Sequence, residues 1–302
     1  MKRIQVLIST YNGEKYIQEQ LDSILAQKEV EIHCLIRDDG STDNTAAILS
    51  EYLKQTGNIE IIFEKNIGYA ASFLELVKRS GNYDFYAFAD QDDVWEPMKL
   101  KKAIDKIAEG EINTPILYCS NCTIVDEYLN KTGMLHSKEN VIPQNKITAL
   151  VQGFAQGCTI VFNCKSKELV LKYEPKQQYA HDFWIPLLHV FLGKIIYDKN
   201  SYMLYRQHGN NVFGGSRSLL RLIKIKLGFL TKESNYYSRM AEELLLGYGG
   251  ELDEDEQHQL KEIAEYRSSL YKYIRLFFNK ALKRNTVRGT LIIRSLILFT
   301  RF

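Results

Sequence analysis

The feature that most constrains the fold is a repeated alternation of short apolar runs and amphipathic segments in the first hundred residues. Apolar runs of strand length lie at 4–9, 32–36, 59–63 and 83–89. Between them, apolar residues recur at the spacing of a helix face, with helices predicted near 17–25, 42–56 and 70–77. This alternation predicts an α/β fold in which helices flank a Rossmann-like, mostly parallel sheet.

Polar clusters follow three of these predicted strands at the point where each strand ends. They are Thr10-Tyr11-Asn12, Asp38-Asp39 and the segment from Asp90 to Asp93. Parallel sheets of this type bind ligands outside the carboxyl ends of their strands. The sequence therefore predicts that the three clusters form one site at a single edge of the sheet.

The segment after the fourth strand concentrates negative charge. Asp90, Asp92 and Asp93 would repel one another at close range, and a bound cation relieves such repulsion. A few carboxylate oxygens suit Mg²⁺ or Mn²⁺, which keep coordination positions open for phosphates. The alternative is a solvated turn whose aspartates cap a helix that begins near Pro97.

The remainder of the chain divides into a mixed part and a helical part. Strands are predicted at 116–125, 159–162 and 201–207, and a helix at 181–191; after residue 215 the pattern is helical and contains no proline. We therefore expect a catalytic domain at 1–214, with a nucleotide-binding half at 1–100 and an acceptor half at 101–214. Residues 215–302 would form a helical, basic C-terminal appendage.

The five cysteines and the amino terminus bear on the cellular compartment. The cysteines are odd in number and lie in apolar runs, which is typical of a reducing compartment, and Cys119 and Cys122 are interpreted as buried thiols. We expect no secretory signal, and no stretch approaches the ~20 apolar residues of a spanning helix. A cytoplasmic protein, dissolved or resting on the inner face of the cell membrane, is expected.

Taken together and in order, these motifs resemble glycosyltransferase family 2 over about residues 4–210. The matching segments are Ser9-Thr10-Tyr11-Asn12, Asp38-Asp39-Gly40-Ser41-Thr42-Asp43, Asn66-Ile67-Gly68 and Asp90-Gln91-Asp92-Asp93-Val94-Trp95-Glu96-Pro97. The resemblance implies a GT-A fold and inverting, metal-dependent transfer of a sugar from a nucleotide diphosphate to a hydroxyl group.

The same resemblance implies roles for residues at the donor side. Those that would contact the nucleotide are Thr10, Tyr11, Asn12, Glu14, Asp39 and Asp90, with Asp38 in support. Tyr11 would stack on the pyrimidine, Asp39 would accept the ring N–H of uracil or thymine, and Asp90 would contact the ribose. Asp92 would hold Mn²⁺ or Mg²⁺, with Asp93 orienting it.

Downstream residues resemble the acceptor side and a second metal ligand. Asp182 would be the general base toward the acceptor hydroxyl, and a helix cap is its alternative interpretation. His181 departs from the glutamate usual in relatives, and Trp184 would either face an acceptor sugar or pack in the core. His208 matches the late histidine that completes the metal site, and Gly157 would let the backbone approach the substrate.

The donor and the acceptor follow from a narrower resemblance. The segments Ala89 to Trp95, His181 to Trp184 and Tyr205 to Asn211 resemble those of bacterial rhamnosyltransferases that build capsular and cell-wall polysaccharides on a lipid carrier. The implied donor is dTDP-β-L-rhamnose; UDP-glucose, UDP-galactose and UDP-N-acetylhexosamine are alternatives. A catalytically inactive carbohydrate-binding relative is expected to lose Asp92 or Asp182, and both are present. No glycine-rich loop of a nucleotidyltransferase or dehydrogenase follows the first strand.

The C-terminal region combines basic charge with amphipathic patterns. Residues 272–302 hold eight Lys or Arg and no Asp or Glu, although the net charge of the chain is only +2, which gives no general attraction to nucleic acid. Apolar faces are predicted at Leu219, Leu220, Ile223, Leu227 and Leu230, and at Leu291, Ile292, Leu296, Leu298 and Phe299. Such helices lie in a membrane interface. Packing on the catalytic domain or in a homodimer is the alternative.

Overall fold

In a computed structural model, residues 1–111, 113–137, 141–209 and 235–302 are described. The strands of this part of the chain join in one sheet in the order β3-β2-β1-β4-β8-β6-β9-β5, with β7 paired to β6. The strands are β1 (Arg3–Thr10), β2 (Glu31–Asp38), β3 (Ile59–Phe63), β4 (Phe85–Ala89), β5 (Val94–Trp95), β6 (Ile116–Val125), β7 (Lys131–Met134), β8 (Val161–Asn163) and β9 (Lys194–Arg206).

Helices cover both faces of this sheet. They are α1 (Ile17–Leu25), α2 (Thr45–Gln55), α3 (Tyr69–Arg79), α4 (Lys99–Ala108), α5 (Lys146–Ala149), α6 (Cys164–Leu171), α7 (His181–Leu192), α8 (Tyr236–Tyr248), α9 (Glu254–Ala264), α10 (Leu270–Phe277) and α11 (Val287–Leu298). Short 3₁₀ turns lie at Gly157–Thr159, Gly249–Glu251 and Tyr266–Ser268.

Residues 1–100, the predicted nucleotide-binding half, have the parallel arrangement predicted from the sequence. Strands β3, β2, β1 and β4 pair in parallel, whereas β8 joins β4 and β6 in antiparallel fashion. Successive β1 residues alternate between two apolar cores, with Leu7 on one face and Val6 and Ile8 on the other. The α/β class and the flanking helices are thereby confirmed.

The C-terminal helices share a core with the predicted acceptor half of the chain. Met240 of α8, Leu260 of α9 and Ile297 of α11 lie in the same buried cluster as Trp184 of α7. The described C-terminal region is therefore packed against the catalytic part, as the alternative interpretation of its helices required. The predicted boundary at 214 and the predicted helix at 219–230 lie outside the described residues.

Local boundaries differ from the predictions where side chains decide them. Helix α2 begins at Thr45, three residues later than predicted, because Asp43 accepts hydrogen bonds from the Thr45 backbone N–H and hydroxyl and so stabilises a turn before the helix. Strand β9 begins at Lys194 instead of 201, since it pairs with β6 along nearly its whole length. Among the described helices, none is long and apolar enough to cross a membrane.

The shared core makes a stability prediction for α11. Ile297 is fully buried, whereas its neighbour Leu298 is 55% exposed. We expect Ile297→Ala to lower the free energy of unfolding by about 2–5 kcal/mol, because the substitution leaves a cavity in the core. Leu298→Ala, the matched control, should change it by less than about 0.5 kcal/mol. Chemical denaturation measures both, and equal small effects would contradict the shared core.

Candidate active site

The register of the parallel strands brings the three polar clusters together. Thr10 at the end of β1 pairs with Asp38 at the end of β2, and Ile8 pairs with Ala89 at the end of β4. The residues that follow these strands therefore leave the sheet side by side. The predicted convergence at one edge is confirmed by the structure.

The loop after β1 is held by a residue that the sequence had not indicated. Gln91 accepts hydrogen bonds from the Thr10 hydroxyl at 2.7 Å and from the Tyr11 backbone N–H at 2.8 Å, and it donates to the Tyr11 carbonyl at 3.2 Å. A Cβ at Gly13 would lie 2.5 Å from the Gln91 amide oxygen, so a larger residue there would displace this amide group. Tyr11 keeps its ring 47% exposed, as a stacking surface requires.

Contacts from the β2 loop position the rest of this predicted nucleotide side. Asn12 adopts a positive φ of 50° and its side chain accepts from the Thr42 backbone N–H at 2.8 Å. The Glu14 carboxylate accepts from both nitrogens of Asn44 at 2.9 Å, so in this structure it stabilises the start of α2. A nucleotide contact by Glu14 stays a prediction.

Asp39 lies in a buried ion pair and organises the loop that precedes α3. Its carboxylate binds Arg37 and accepts from the backbone N–H groups of Ile67 at 2.8 Å and Gly68 at 2.9 Å. A carboxylate accepts about four hydrogen bonds, so one position remains for the ring N–H of a base. Asp38, also buried, accepts from the hydroxyl of Ser41 and supports the same turn.

Asp92 and His208 form a pair of possible metal ligands. The His208 Nε2 atom lies 2.8 Å from the Asp92 Oδ2 atom, and both side chains retain slight exposure. The His208 ring also packs against Tyr16, with the ring centroids 4.8 Å apart. A carboxylate oxygen and an imidazole nitrogen at this separation fit the ligand preferences of Mn²⁺, so the structure brings together the two residues predicted for the metal.

Asp90 and Asp93 lie behind this pair, together with a thiol. Their carboxylate oxygens and the sulfur of Cys158 are within 4.8 Å of one another. Burial and the neighbouring Asp92 and Asp182 raise the pKa of Asp90 to about 7, and burial raises that of Asp93 as well. Asp93 accepts from the Arg206 backbone N–H at 3.2 Å through one oxygen, while its other oxygen is buried without a hydrogen bond. Its contacts thus suit a supporting role next to Asp92.

A buried lysine lies close to this acidic cluster. Lys99 is 2% exposed, its Nζ atom makes no hydrogen bond, and it lies 3.4 Å from the centroid of the Trp95 ring. Burial lowers the Lys99 pKa to about 7, while Asp93 and Asp90 counteract this shift. The sequence carried a signal for it, because Lys99, Ala103 and Ile107 share one face of α4 at a spacing of four residues.

Arg206 at the end of β9 connects the metal side to the rest of the domain. Its guanidinium donates to the carbonyl oxygens of Asp92 and Glu127, both at 2.8 Å, and pairs with the Glu19 carboxylate. These bonds explain why His208, two residues later, reaches Asp92. The sequence placed Arg206 in the correct motif but gave no sign of this buried anchoring role.

The acceptor side is built on the first turn of α7. Ala180 is the N-cap residue, and Asp182 lies two residues later in the first turn of the helix. Burial raises the pKa of Asp182 to about 6. Asp90 is close enough to Asp182 for the two charges to interact, and Asp90 also interacts with Asp92. The predicted base and a predicted metal ligand are therefore both near Asp90.

His181 is buried beside Asp182 and remains neutral. Its ring packs 3.9 Å from the ring centroid of Phe73, both ring nitrogens lack hydrogen bonds, and burial lowers its pKa to about 3. A Cβ at Gly157 would lie 2.5 Å from His181 Nε2, so the close approach that glycine permits here is to His181. Trp184 is fully buried and stacks on Tyr179, so core packing is the correct alternative for it.

Comparison with known proteins shows the family. The model of the family described as "Glycosyl transferase family 2" matches residues 5–167, which is more than half of the chain. The dTDP-rhamnosyl transferase RfbG of Shigella flexneri is 33% identical over 226 residues, covering 70% of this chain and 75% of the relative. The chain belongs to glycosyl transferase family 2, and it is a glycosyltransferase.

Solved structures show the same fold. Residues 1–349 of S. aureus TarS match with a TM-score of 0.58 and 18% identity, covering 100% of this chain and 81% of that one. The mannosyltransferase PcManGT from Pyrobaculum calidifontis, in complex with GDP-Man and Mn²⁺, matches with a TM-score of 0.52 and 14% identity, covering 100% and 88%. The predicted GT-A architecture is thereby confirmed.

The contacts of Gln91 generate a prediction for nucleotide binding. We expect Gln91→Ala to weaken dTDP binding by about tenfold, because three hydrogen bonds that order the Thr10–Tyr11 loop are lost. Isothermal titration calorimetry measures the affinity. Gln18→Ala, at an exposed position on α1, is the matched control and should bind normally. Unchanged affinity in Gln91→Ala would show that the loop orders without it.

Proposed function

We propose that this glycosyltransferase inverts the anomeric centre of its donor and transfers L-rhamnose from dTDP-β-L-rhamnose to a hydroxyl group of a growing, lipid-linked polysaccharide. The observation that carries the proposal is that Asp182 and Asp92, which pairs with His208, both lie near Asp90. Inversion by direct displacement requires a base on the acceptor side and stabilisation of the leaving group on the other. Asp182 lies on α7, whereas Asp92 lies in the loop after β4.

Asp182 is the proposed general base. The acceptor oxygen forms the new bond to the anomeric carbon as the bond to the diphosphate oxygen breaks, and the hydroxyl proton passes to the Asp182 carboxylate. A pKa of about 6 suits this step, since the group is ionised at neutral pH yet binds a proton more readily than an ordinary aspartate. His181 stays neutral beside it and so adds no competing charge.

Asp92 and His208 are the proposed ligands of Mn²⁺ or Mg²⁺. The bound cation would neutralise charge on the departing nucleotide diphosphate. Asp93 would orient Asp92 through the short loop that they share, and Arg206 would fix the same loop through the Asp92 carbonyl. The Mn²⁺ complex of the fold relative PcManGT supports this assignment.

The donor-side residues are proposed to read the base and the ribose. Tyr11 would stack on the pyrimidine, the remaining acceptor position of Asp39 would take its ring N–H, and Asp90 would contact the ribose. The similarity to RfbG supports rhamnose as the transferred sugar, because that relative is named a dTDP-rhamnosyl transferase. A UDP-hexose is the second candidate, supported by the complex of TarS with UDP-GlcNAc.

The proposed setting is the cytoplasmic face of the cell membrane. A saccharide on a lipid carrier is presented at a bilayer surface, and the basic C-terminal region is proposed to contact that surface. The buried face of α8–α11 packs on the catalytic part of the same chain. A homodimer, the alternative to membrane contact, would therefore have to form through the outer face of these helices.

A donor panel tests the substrate assignment. With Mn²⁺ present, we expect dTDP-β-L-rhamnose to be hydrolysed or transferred at least about tenfold faster than UDP-glucose, UDP-galactose or UDP-N-acetylglucosamine. Release of the nucleotide diphosphate measures the rate. Excess EDTA and Asp92→Ala should each abolish it, whereas Asp105→Asn, at an exposed position on α4, should not. Faster turnover of a UDP-hexose would overturn the rhamnose assignment, and full activity in EDTA would overturn the metal.

Replacing the proposed base provides the second test. We expect Asp182→Asn to lower turnover by at least about a hundredfold with near-normal dTDP affinity, because the amide keeps the shape but cannot take the proton. In the wild type, turnover should fall as the pH drops through about 6, since protonation removes the base. Steady-state rates between pH 5 and 8 measure this. More than about a tenth of wild-type turnover in Asp182→Asn would assign the base elsewhere, first to His181.

A further inference from the structure

The outer faces of α10 and α11 expose an unusual number of large apolar side chains. On α10 and the residue after it, they recur at positions i, i+1, i+4 and i+8, and on α11 at i, i+4, i+11 and i+12, so each set forms one stripe. We call the two stripes the α10–α11 surface. Its residues, each between 47% and 80% exposed, are Leu270, Tyr271, Ile274, Phe278, Val287, Leu291, Leu298 and Phe299.

The opposite faces of the same helices are firmly packed. Leu276 of α10 and Ile293 of α11 are buried in the shared core. The two helices are joined by the Tyr273 hydroxyl, which donates to the Leu298 carbonyl at 3.0 Å, and by Arg294, which donates to the Asn279 carbonyl at 2.7 Å. Both helices are therefore well packed on their inner faces, so the exposure of the stripes does not result from poor packing.

Positive charge accompanies this surface. Residues 272–302 contain eight Lys or Arg and no Asp or Glu. Lys272 and Arg275 pair with Glu265 and Glu262 of the preceding segment, whereas Lys280, Lys283 and Arg288 lie exposed between and beside the stripes. Apolar side chains bordered by basic ones match the interface of an anionic bilayer, where the former enter the acyl boundary and the latter contact phosphate.

The segment between the two helices is fastened to the acceptor side of the domain. The Ala281 carbonyl accepts from the Thr148 hydroxyl at 2.7 Å, and Arg284 donates to the Val151 carbonyl at 2.7 Å. The chain from 148 leads directly to Gly157, whose backbone lies against His181 and Asp182. The α10–α11 surface is thus fastened by hydrogen bonds to a segment that continues along the chain to the proposed acceptor side.

We propose that the α10–α11 surface docks on an anionic lipid bilayer and holds the acceptor side of the enzyme at the membrane. The proposal rests on the proposed function for its lipid-linked acceptor, but docking itself needs no donor. A second copy of the chain is the less suitable occupant, because a two-fold interface through this surface would bring the basic groups Lys280, Lys283 and Arg288 of both copies into one interface.

Vesicle flotation of the full chain tests the docking. We expect the wild type to float with vesicles of phosphatidylcholine and phosphatidylglycerol, and less so at high salt or with phosphatidylcholine alone. Phe278→Ser with Leu291→Ser should reduce binding by at least about tenfold, because apolar area that enters the bilayer is removed. The matched control is Leu53→Ser with Leu246→Ser, at exposed apolar positions on α2 and α8, which should bind as the wild type does.

A second variant keeps the test independent of the apolar substitutions. Lys280→Gln, Lys283→Gln and Arg288→Gln together should weaken binding roughly a hundredfold at low salt and flatten its salt dependence. Unchanged flotation in both variants, or none in the wild type, would overturn the proposal. So would a wild-type dimer in analytical ultracentrifugation that Phe278→Ser with Leu291→Ser dissociates. Donor hydrolysis and dTDP affinity, measured without lipid, should stay normal in every variant. If the wild type itself neither hydrolysed the donor nor bound dTDP, the result would contradict the proposed function but not the docking.

Discussion

The crowding of three aspartates at the end of β4 is the constraint on which the site depends. Asp90, Asp92 and Asp93 share four consecutive positions, and the raised pKa values of Asp90 and Asp93 show how strongly burial and mutual repulsion oppose their ionised forms. The structure answers this with contacts that hold the loop: Arg206 binds its backbone and His208 approaches Asp92. The Lys99 side chain lies nearby, over the Trp95 ring and without a hydrogen bond. Burying a charged lysine costs free energy unless a nearby negative charge compensates it. Lys99 and the neighbouring aspartates therefore each favour the charged form of the other.

A different constraint applies to Asp182, the proposed general base, which is an acid inside a buried turn. Asp182 lies in the first turn of α7, where unpaired backbone N–H groups favour negative charge, and burial opposes this effect enough to raise its pKa. The neutral ring of His181 fills the space that Gly157 leaves free. A glutamate in place of His181 would put a second charge here, so the histidine makes Asp182 the sole acid of this turn.

The sequence predicted the parts of the fold and site that depend on local pattern. Strand ends, their aspartates and the helix that carries Asp182 follow from apolar periodicity and from motifs along the chain. Gln91 and Arg206 were not predicted, because each acts through partners far away in sequence, such as Thr10 and Glu19. Lys99 was not singled out, although its spacing places it on the buried face of α4. The two interpretations of Trp184 were equally compatible with its spacing, and only the stacking on Tyr179 decides between them.

The C-terminal helices show why an amphipathic pattern alone does not identify a partner. In α11 the predicted apolar set splits: Leu296 is buried in the shared core, whereas Leu291, Leu298 and Phe299 face outward. The buried face packs α11 into the core, and the outward residues take no part in that packing. They expose apolar side chains along one stripe, and monomeric proteins rarely leave large contiguous apolar areas exposed. Their coincidence with an excess of basic residues, and the hydrogen bonds from this region to Thr148 and Val151, point to a surface that acts together with the acceptor side. For the proposed lipid-linked acceptor, docking on the bilayer would raise the effective concentration of acceptor hydroxyl groups near Asp182, the proposed base.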